Sequence, residues 1–473
     1  MTAPPSLRRS PALAATLSFL LPGLGQLALG RIRRGLLFLL PVLVPFVLVV
    51  AVASTNVVHF VAGLVRPDVL LSIFVVNLGL LAWRGLAILD AWRSAAAGTP
   101  RTALATVVVL GLLLVTGATH ALIGAATYLG YDTLTAITSD EGFGTLPEES
   151  PSPPPTPTHS PSPGATPEPT PPPTPSPTPP PAPLADGRLD VLLIGADAGP
   201  GRWSLRTDTL IVLSVDVETG RAAFFGIPRN LINVPLPKES RDAFPCGCFP
   251  QLINALYVYA SGHPGSFPGS DSLRGLRAIQ GAIGELTGLH LDGMVVVKLQ
   301  GFVRLVDAIG GLDIDVPEAV YDRHYPLENG AGHLVLNIKP GLHHFNGRMA
   351  LAYARSRHQD SDYHRMERQQ ITLAALGRKL MDQPLFTKLP DLLGIAKDNL
   401  WTNLNLDDLP AFVELAQRVD IAKIGRYTFI PPQYPEFLDK TEIKRIRVVV
   451  ARAFPPLEPP APTPTPTERP GVL

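Results

Sequence analysis

The first 125 residues alternate between long apolar stretches and short polar breaks. Three of these stretches, at about 36–54, 69–89 and 103–122, approach the length and hydrophobicity of a membrane-spanning helix. The middle stretch contains Arg84, but near one end, where a long side chain can extend to the lipid headgroups. Because the stretches carry too little charge for helices of a soluble domain, we predict that they anchor the chain in a membrane.

A fourth apolar stretch, at 13–30, is interrupted by Pro22-Gly23-Leu24-Gly25-Gln26. The break leaves backbone groups that need partners, which favours a re-entrant or interfacial segment. Clusters of Arg flank the stretch, and both can be cytoplasmic only if the stretch does not cross: Arg8, Arg9, Arg31, Arg33 and Arg34. Residues 1–130 are therefore predicted to be a multi-pass anchor in the cell membrane, with three spans and a re-entrant segment, which leaves the following domain extracytoplasmic. Four crossings are the alternative.

Two segments are rich in proline, which explains how 52 Pro coexist with a mean hydropathy of +0.20. Residues 146–183 consist of Pro/Ser/Thr repeats, which favour polyproline II and rise about 3.1 Å per residue. We predict an extracytoplasmic linker able to carry the next domain up to on the order of 100 Å from the bilayer. Recognition by a Pro-binding module is the alternative. Residues 455–473 are predicted to be a disordered tail.

Residues 184–454 alternate between short apolar runs and amphipathic segments. The pattern predicts strands at 191–194, 209–217, 222–227, 294–299 and 312–316, with a hairpin turn at Gly220. It predicts helices at 273–287, 302–309, 347–353, 363–380 and 407–418. Strands interleaved with helices indicate an α/β fold, an α-β-α sandwich with a mixed central sheet.

The charge balance and the cysteines narrow the chemistry only slightly. With 40 basic and 40 acidic residues the formal charge is zero, so nothing indicates a nucleic-acid partner. Cys246 and Cys248 are the only cysteines; a mutual disulfide across one residue is strained and two thiols cannot complete a tetrahedral zinc site. We interpret the pair as structural or incidental.

Two carboxylates, Asp197 and Asp208, fall at predicted strand ends. Such a pair at the mouth of a sheet suits magnesium (Mg²⁺), which uses one or two carboxylates together with substrate phosphates. The alternative is that each Asp caps a turn.

Arginines recur close to these carboxylates in the predicted fold. Arg229 follows the second hairpin strand, and Arg355 and Arg357 lie two residues apart. On the helix near 361, the side chains of Asp362, Arg365 and Gln369 share a face with three leucines. A buried Arg needs an anionic partner, which could be Asp362 or a bound polyanion. The number of arginines favours a site for a polyanion and a metal.

These residues resemble the LytR–CpsA–Psr family of cell-wall glycopolymer ligases over about 189–380. The matching segments are Leu192-Leu-Ile-Gly-Ala-Asp197, Arg206-Thr-Asp-Thr209, Ile227-Pro-Arg229, Ile253-Asn-Ala-Leu-Tyr257, residues 301–317, Ala350-Leu-Ala-Tyr-Ala-Arg-Ser-Arg357 and Ser361-Asp-Tyr-His-Arg-Met-Glu-Arg-Gln-Gln370.

The resemblance implies an enzyme that moves a glycopolymer from a polyprenyl-pyrophosphate carrier to peptidoglycan through a phosphodiester bond. It implies that Asp197 and Asp208 bind Mg²⁺, and that the lipid lies in an apolar tunnel between sheet and helices. It also implies a pyrophosphate-binding set, which would be Arg206, Arg229, Arg355, Arg357, Arg365 and Gln369. We expect Arg229, Arg355 and Arg357 to act in catalysis, with Asp362 as the hypothetical base.

Two positions depart from the family pattern. Asn230 stands where the family usually has Asp, and Leu252 where it often has Lys. These changes concern the acceptor and the rate more than the class of reaction, and the multi-span anchor also differs from the single anchor common in the family. The alternatives are a non-catalytic module that binds or senses polyprenyl phosphate, and a pyrophosphatase acting on lipid-linked sugars.

Overall fold

The computed structural model describes residues 10–55, 60, 63–95, 102–139, 184, 187–197, 206–326, 332–357, 362–382 and 388–454. The predicted linker at 146–183 and tail at 455–473 lie outside these residues.

Three helices of the described N-terminal part are long and apolar enough to cross a membrane, with 22, 29 and 35 residues. They coincide with the three predicted stretches and extend beyond the last two. Thr102 begins the last helix, where its hydroxyl accepts from the backbone of Ala105. With the two short helices before them, the helices are α1 (Pro11–Leu20), α2 (Leu24–Ala28), α3 (Ile32–Ala53), α4 (Pro67–Ala95) and α5 (Ala103–Ile137).

The interrupted stretch folds into a hairpin of α1 and α2. Gly23 makes the turn with a φ of 94°. Ser18 Oγ donates to Gln26 Oε1 at 2.8 Å, and Gln26 Nε2 donates to the backbone oxygen of Ala87 at 2.9 Å. At ten residues, α1 is only about 15 Å long, which is half of what a crossing needs. A hairpin of this length is compatible with a re-entrant segment, which stays a prediction.

Arg84 on α4 contacts the hairpin of α1 and α2. Its Nη2 donates to the backbone oxygen of Phe19 at 2.9 Å. Since α1 ends at Leu20, that carbonyl has no helical partner one turn later, and the arginine provides one.

The second part of the chain forms a six-stranded mixed sheet in the order β11-β6-β1-β2-β3-β12. The β1–β6 and β3–β12 pairs are parallel, and the others are antiparallel. The strands are β1 (Arg188–Asp197), β2 (Arg206–Asp216), β3 (Ala222–Gly226), β4 (Val234–Pro235), β5 (Cys248–Phe249), β6 (Gly293–Lys298), β7 (Leu312–Val316), β8 (Val320–Pro326), β9 (His333–Ile338), β10 (Gly341–Phe345), β11 (Leu400–Thr402) and β12 (Gly425–Thr428).

Helices cover both faces of this sheet, which confirms the predicted α/β sandwich. They are α6 (Leu256–Ser261), α7 (Arg274–Thr287), α8 (Leu299–Ala308), α9 (Gly347–Arg355), α10 (Asp362–Asp382), α11 (Leu389–Asn399), α12 (Leu409–Arg418) and α13 (Lys440–Arg452). Short 3₁₀ turns occur at Lys238–Ala243, Ile253–Ala255, Leu406–Asp408 and Ile421–Lys423.

The two faces of the sheet are packed differently. One face forms a continuous core with α7 and α13, in which Leu192, Ile194 and Phe225 are almost fully buried. The other face looks towards α8, α10 and α12 across a cavity. A second core lies behind α10, where Tyr353 and Phe345 pack with rings 5.8 Å apart.

The two cysteines are joined to each other in a disulfide at the β4–β5 turn. Gly247 between them has a φ of 64°, a conformation that glycine adopts readily. The disulfide therefore links two residues within the same turn, which agrees with the interpretation of the two cysteines as structural.

Tyr353 provides a test of the second core. Its phenol is buried, has no hydrogen-bond partner within the described part of the chain, and has its pKa raised to about 12 by that burial. We expect Tyr353→Phe to be as stable as the parent or more so, because an unpaired buried hydroxyl costs about 1–3 kcal/mol. Tyr353→Ala should lower the free energy of unfolding by about 3–5 kcal/mol.

Thermal and chemical unfolding of the purified full-length protein in detergent measures both changes. A Phe variant that is less stable than the parent by about 1 kcal/mol or more would show that the hydroxyl is bonded.

Candidate functional site

The site begins at a bulge between the first two strands. Gly195 pairs with Thr209 and Ala196 with Thr207, so Asp208 is an extra residue without an opposite partner. Bulges redirect side chains and occur often beside active sites. A Cβ on Gly195 would lie 2.9 Å from that of Thr209, so the close approach of the strands here requires glycine.

Asp208 forms an ion pair with Arg229, which follows β3. Arg229 Nη1 donates to Asp208 Oδ1 at 2.6 Å, and about one-fifth of each side chain is exposed, at 19% and 22%. The backbone oxygen of Arg229 accepts from Asn254 at 3.2 Å, which fixes the position of this loop. Asp208 therefore does not serve as a simple turn cap. It holds a predicted phosphate-binding arginine in place.

Arg355 ends α9 and Arg357 follows it, and the two side chains differ in exposure. Arg355 is half-buried and lines the cavity, whereas Arg357 is exposed to solvent. Ser356 between them is 2% exposed, and its hydroxyl donates to Asp322 Oδ2 at 2.9 Å. The structure thus brings Arg355 to the candidate site and leaves Arg357 at its surface.

Arg368 holds the C-terminal end of α9 in place. Its Nε donates to the backbone oxygen of Tyr353 at 3.0 Å, and its Nη2 donates to that of Ser356 at 2.6 Å. These carbonyls belong to the last turn of α9, where a cation is favourable. Sequence reasoning missed Arg368 and Asp322, although Arg368 lies three residues after Arg365 on a helix, and i,i+3 spacing could have indicated it.

The first turns of α10 carry buried polar groups, as predicted. Arg365 is 4% and Gln369 7% exposed. Gln369 lines the cavity together with Leu373, Leu376 and Leu380, so the predicted shared face is confirmed for these residues. The side chains of Asp197, Arg206 and Asp362 lie outside the described structure, although their backbones end β1, begin β2 and begin α10.

The cavity has a volume of about 480 Å³. Its polar end is formed by Gly195, Thr209, Arg355 and Gln369, and its walls continue along β1 to Leu189. Leu189 lies six positions before Gly195 on the strand, which corresponds to roughly 20 Å. Apart from the polar end, the lining is almost entirely aliphatic and aromatic. The site is an apolar channel that leads to an arginine and an amide.

A carboxylate from the C-terminal region, that of Glu436, joins the site, and sequence reasoning did not identify it. Asn230 Nδ2 donates to Glu436 Oε1, and the Tyr363 hydroxyl donates to the same oxygen at 3.3 Å. Glu436 is held by a bridge in which Ile232 N donates to its backbone oxygen at 2.8 Å. The amide of Asn230 can donate to this carboxylate, whereas an Asp at 230 would repel it.

The described contacts of Asp208 show whether its carboxylate has an oxygen that could bind a magnesium ion. Within the described residues no group of three or more His, Cys, Asp or Glu side chains converges on a metal position. Mg²⁺ needs fewer protein ligands than that, since it takes one or two carboxylates and substrate phosphates. Among the described contacts, the Asp208 carboxylate is bonded only through Oδ1, so Oδ2 suits that role.

Known proteins resemble this chain over its second half. Biofilm regulatory protein A of Streptococcus mutans is 24% identical over 222 residues, covering 46% of this chain and 50% of that protein. Regulatory protein MsrR of Staphylococcus aureus is 25% identical over 223 residues, covering 46% and 57%. The chain therefore spans about half the length of these relatives.

Solved structures resemble it over a similar region. TagV of B. subtilis matches with 22% identity and a TM-score of 0.41, covering 56% of this chain and 96% of that one. TagT bound to LIIa-WTA matches with 19% identity and a TM-score of 0.41, covering 57% and 91%. The sequence model of the LytR_cpsA_psr family matches residues 169–433, which is more than half of the chain, and this protein therefore belongs to the LytR_cpsA_psr family.

Proposed function

We propose that this protein is a membrane-anchored phosphotransferase that moves a glycopolymer from a polyprenyl-pyrophosphate carrier to peptidoglycan through a phosphodiester bond. The observation that supports this most is the apolar cavity with Arg355 and Gln369 at one end. Its walls suit a polyprenyl chain, and its polar end suits the diphosphate to which that chain is joined. The family to which the chain belongs supports the same class of substrate.

In the proposed reaction, an acceptor hydroxyl attacks the phosphorus that carries the sugar. The bond from this phosphorus to the bridging oxygen breaks, and the polyprenyl phosphate leaves with that bond's electron pair. Negative charge builds up on the departing phosphate, where guanidinium groups stabilise it. We assign this role to the guanidinium groups of Arg206, Arg229, Arg355, Arg357 and Arg365, together with the amide of Gln369.

The acidic residues have a separate task. We propose that Asp197 and Asp208 hold Mg²⁺, which would neutralise the diphosphate when bound. Asp208 also orients Arg229 through the 2.6 Å ion pair. Asp362 is the proposed base that takes the proton of the acceptor hydroxyl.

We further propose that α3, α4 and α5 cross the cell membrane and that the catalytic part is extracytoplasmic. Arg31 and Arg34 lie at the start of α3, and Arg93 lies near the end of α4. Placing these arginines on the cytoplasmic side directs the end of α5 outwards.

Removing Arg355 should affect transfer more than binding of the lipid tail. We expect Arg355→Ala to reduce transfer from a lipid-linked donor by about 100-fold or more, because a positioned charge at the developing negative charge is lost. Arg357→Ala should also impair transfer, by a smaller factor because the side chain is exposed. Arg348→Ala, on the exposed side of the same helix, is the matched control. Full turnover by Arg355→Ala in the reconstituted assay would refute the assignment.

Asp208→Asn separates an enzyme from a binding module. The variant should still bind polyprenyl pyrophosphate through the cavity, but lose transfer and its dependence on Mg²⁺ concentration. Asp315→Asn, an exposed position on β7, should behave as the parent does. If the parent itself shows no Mg²⁺-dependent turnover, the binding or sensing function is favoured, and sugar released to water would indicate a pyrophosphatase.

Asn230 and Glu436 should be coupled. Asn230→Asp places two carboxylates together and should reduce transfer, whereas adding Glu436→Gln restores an amide–carboxylate pair with exchanged roles. Transfer rates of the parent, both single variants and the double variant should give a coupling of about 0.5–3 kcal/mol. Additive effects would mean that the pair does not act as a unit.

A further inference from the structure

The last membrane helix is longer than a bilayer requires. With 35 residues, α5 is roughly 50 Å long, against about 30 Å for the hydrocarbon core. Tyr128, Tyr131 and Asp132 lie near its C-terminal end, as is common at a membrane–water interface. The turns that follow contain Thr133, Leu134 and Ile137, which are buried although they extend beyond this level.

The C-terminal end of α5 contacts the catalytic part of the chain. Helix α11 packs directly against α5, and Lys397 Nζ forms an ion pair with Asp132. The hydrogen bond with Asp132 raises the pKa of Lys397, which therefore stays protonated at neutral pH. Trp401, only 3% exposed, donates its indole N–H to the backbone oxygen of Ser139 at 2.9 Å.

A second contact joins a different membrane helix to a different part of the domain. Arg66, directly before α4, places its Nε 2.9 Å from Asp407 Oδ1. Asp407 belongs to the 3₁₀ turn that leads into α12. Two membrane helices therefore hold the catalytic part at two separate elements, which restricts rotation as well as distance.

The elements that touch the anchor also form walls of the cavity. Leu400, beside Trp401, lines it, and so does Phe412 on the helix that follows Asp407. Helix α11 packs in addition on α8, which contributes Leu299, Phe302 and Leu305 to the lining. The anchor thus touches the cavity side of the domain and covers β11, the edge strand of the sheet.

We propose that the membrane anchor is a docking platform for the catalytic domain, which holds the wall of the cavity at the outer bilayer surface. Transfer then takes place beside the membrane that contains the lipid carrier, and not at the far end of the Pro-rich spacer. This placement rests on the proposed function for its purpose, but the docking itself is a physical contact that can be measured without any activity.

Crosslinking in the full-length protein tests the docking. Asp132→Cys combined with Lys397→Cys is treated in membranes with a short thiol-specific bismaleimide, and a protease site inserted in the 151–183 segment is then cleaved. Docking predicts that the two halves remain covalently joined. The control pair, Asp132→Cys with Lys444→Cys, places the second thiol on α13, on the opposite face of the sheet, and should separate. Equal joining of both pairs, or of neither, would overturn the proposal.

A second measurement needs no cysteine. After cleavage of the linker in detergent, a tagged anchor should retain the catalytic part, and Lys397→Glu with Asp407→Lys should release it. Release from the parent protein would also overturn the docking. If the halves stay together but the parent shows no transfer, the docking is upheld and only the proposed function fails.

Discussion

Helix α10 contacts the sheet near its start and borders the cavity further along, and this arrangement is the constraint from which the site follows. Near its start the helix is in contact with the sheet: a Cβ on Gly226 would lie 2.7 Å from Met366 Cε and 2.9 Å from Gln370 Nε2. Further along, Leu373, Leu376 and Leu380 line the cavity together with Leu213 and Phe224. One helix thereby produces a tight polar end and an open apolar end. An apolar space of this size forfeits dispersion contacts, which the lipid chain of the proposed substrate would restore.

The arginines near the cavity differ in the contacts that the structure describes for them. The guanidinium of Arg368 donates to two backbone carbonyls, and that of Arg229 is paired with the carboxylate of Asp208. Arg355, by contrast, lines the end of an apolar channel. The apolar walls that would suit a lipid tail therefore lead to a guanidinium group that would suit the phosphate of the proposed substrate.

Much of the sheet could be predicted from the sequence, because local patterns determine it. The hairpin at Gly220 and the helix at Arg274–Thr287 carry strong periodicity, and both occur as predicted. The edge strands β11 and β12 did not follow from the sequence, since three or four residues show no period and their pairing depends on distant strands. The same reason hid Glu436, which reaches the site from a loop more than 200 residues after Asn230. The bulge at Asp208 depends on the register of two strands, which the sequence of one strand does not specify.

The proposed docking of the catalytic part on the anchor is compatible with the long linker that the sequence predicts. The polar contacts are partly exposed, with Lys397 at 39% and Asp132 at 37%, and such pairs would contribute little between separate chains. Joined by one chain, however, the two parts meet at an effective concentration set by the linker, in the millimolar range for short flexible linkers and lower for longer ones. This adds to the direct contacts, which include the packing of α11 on α5 and one buried tryptophan. The predicted linker therefore need not hold the domain at a distance from the helices that carry it.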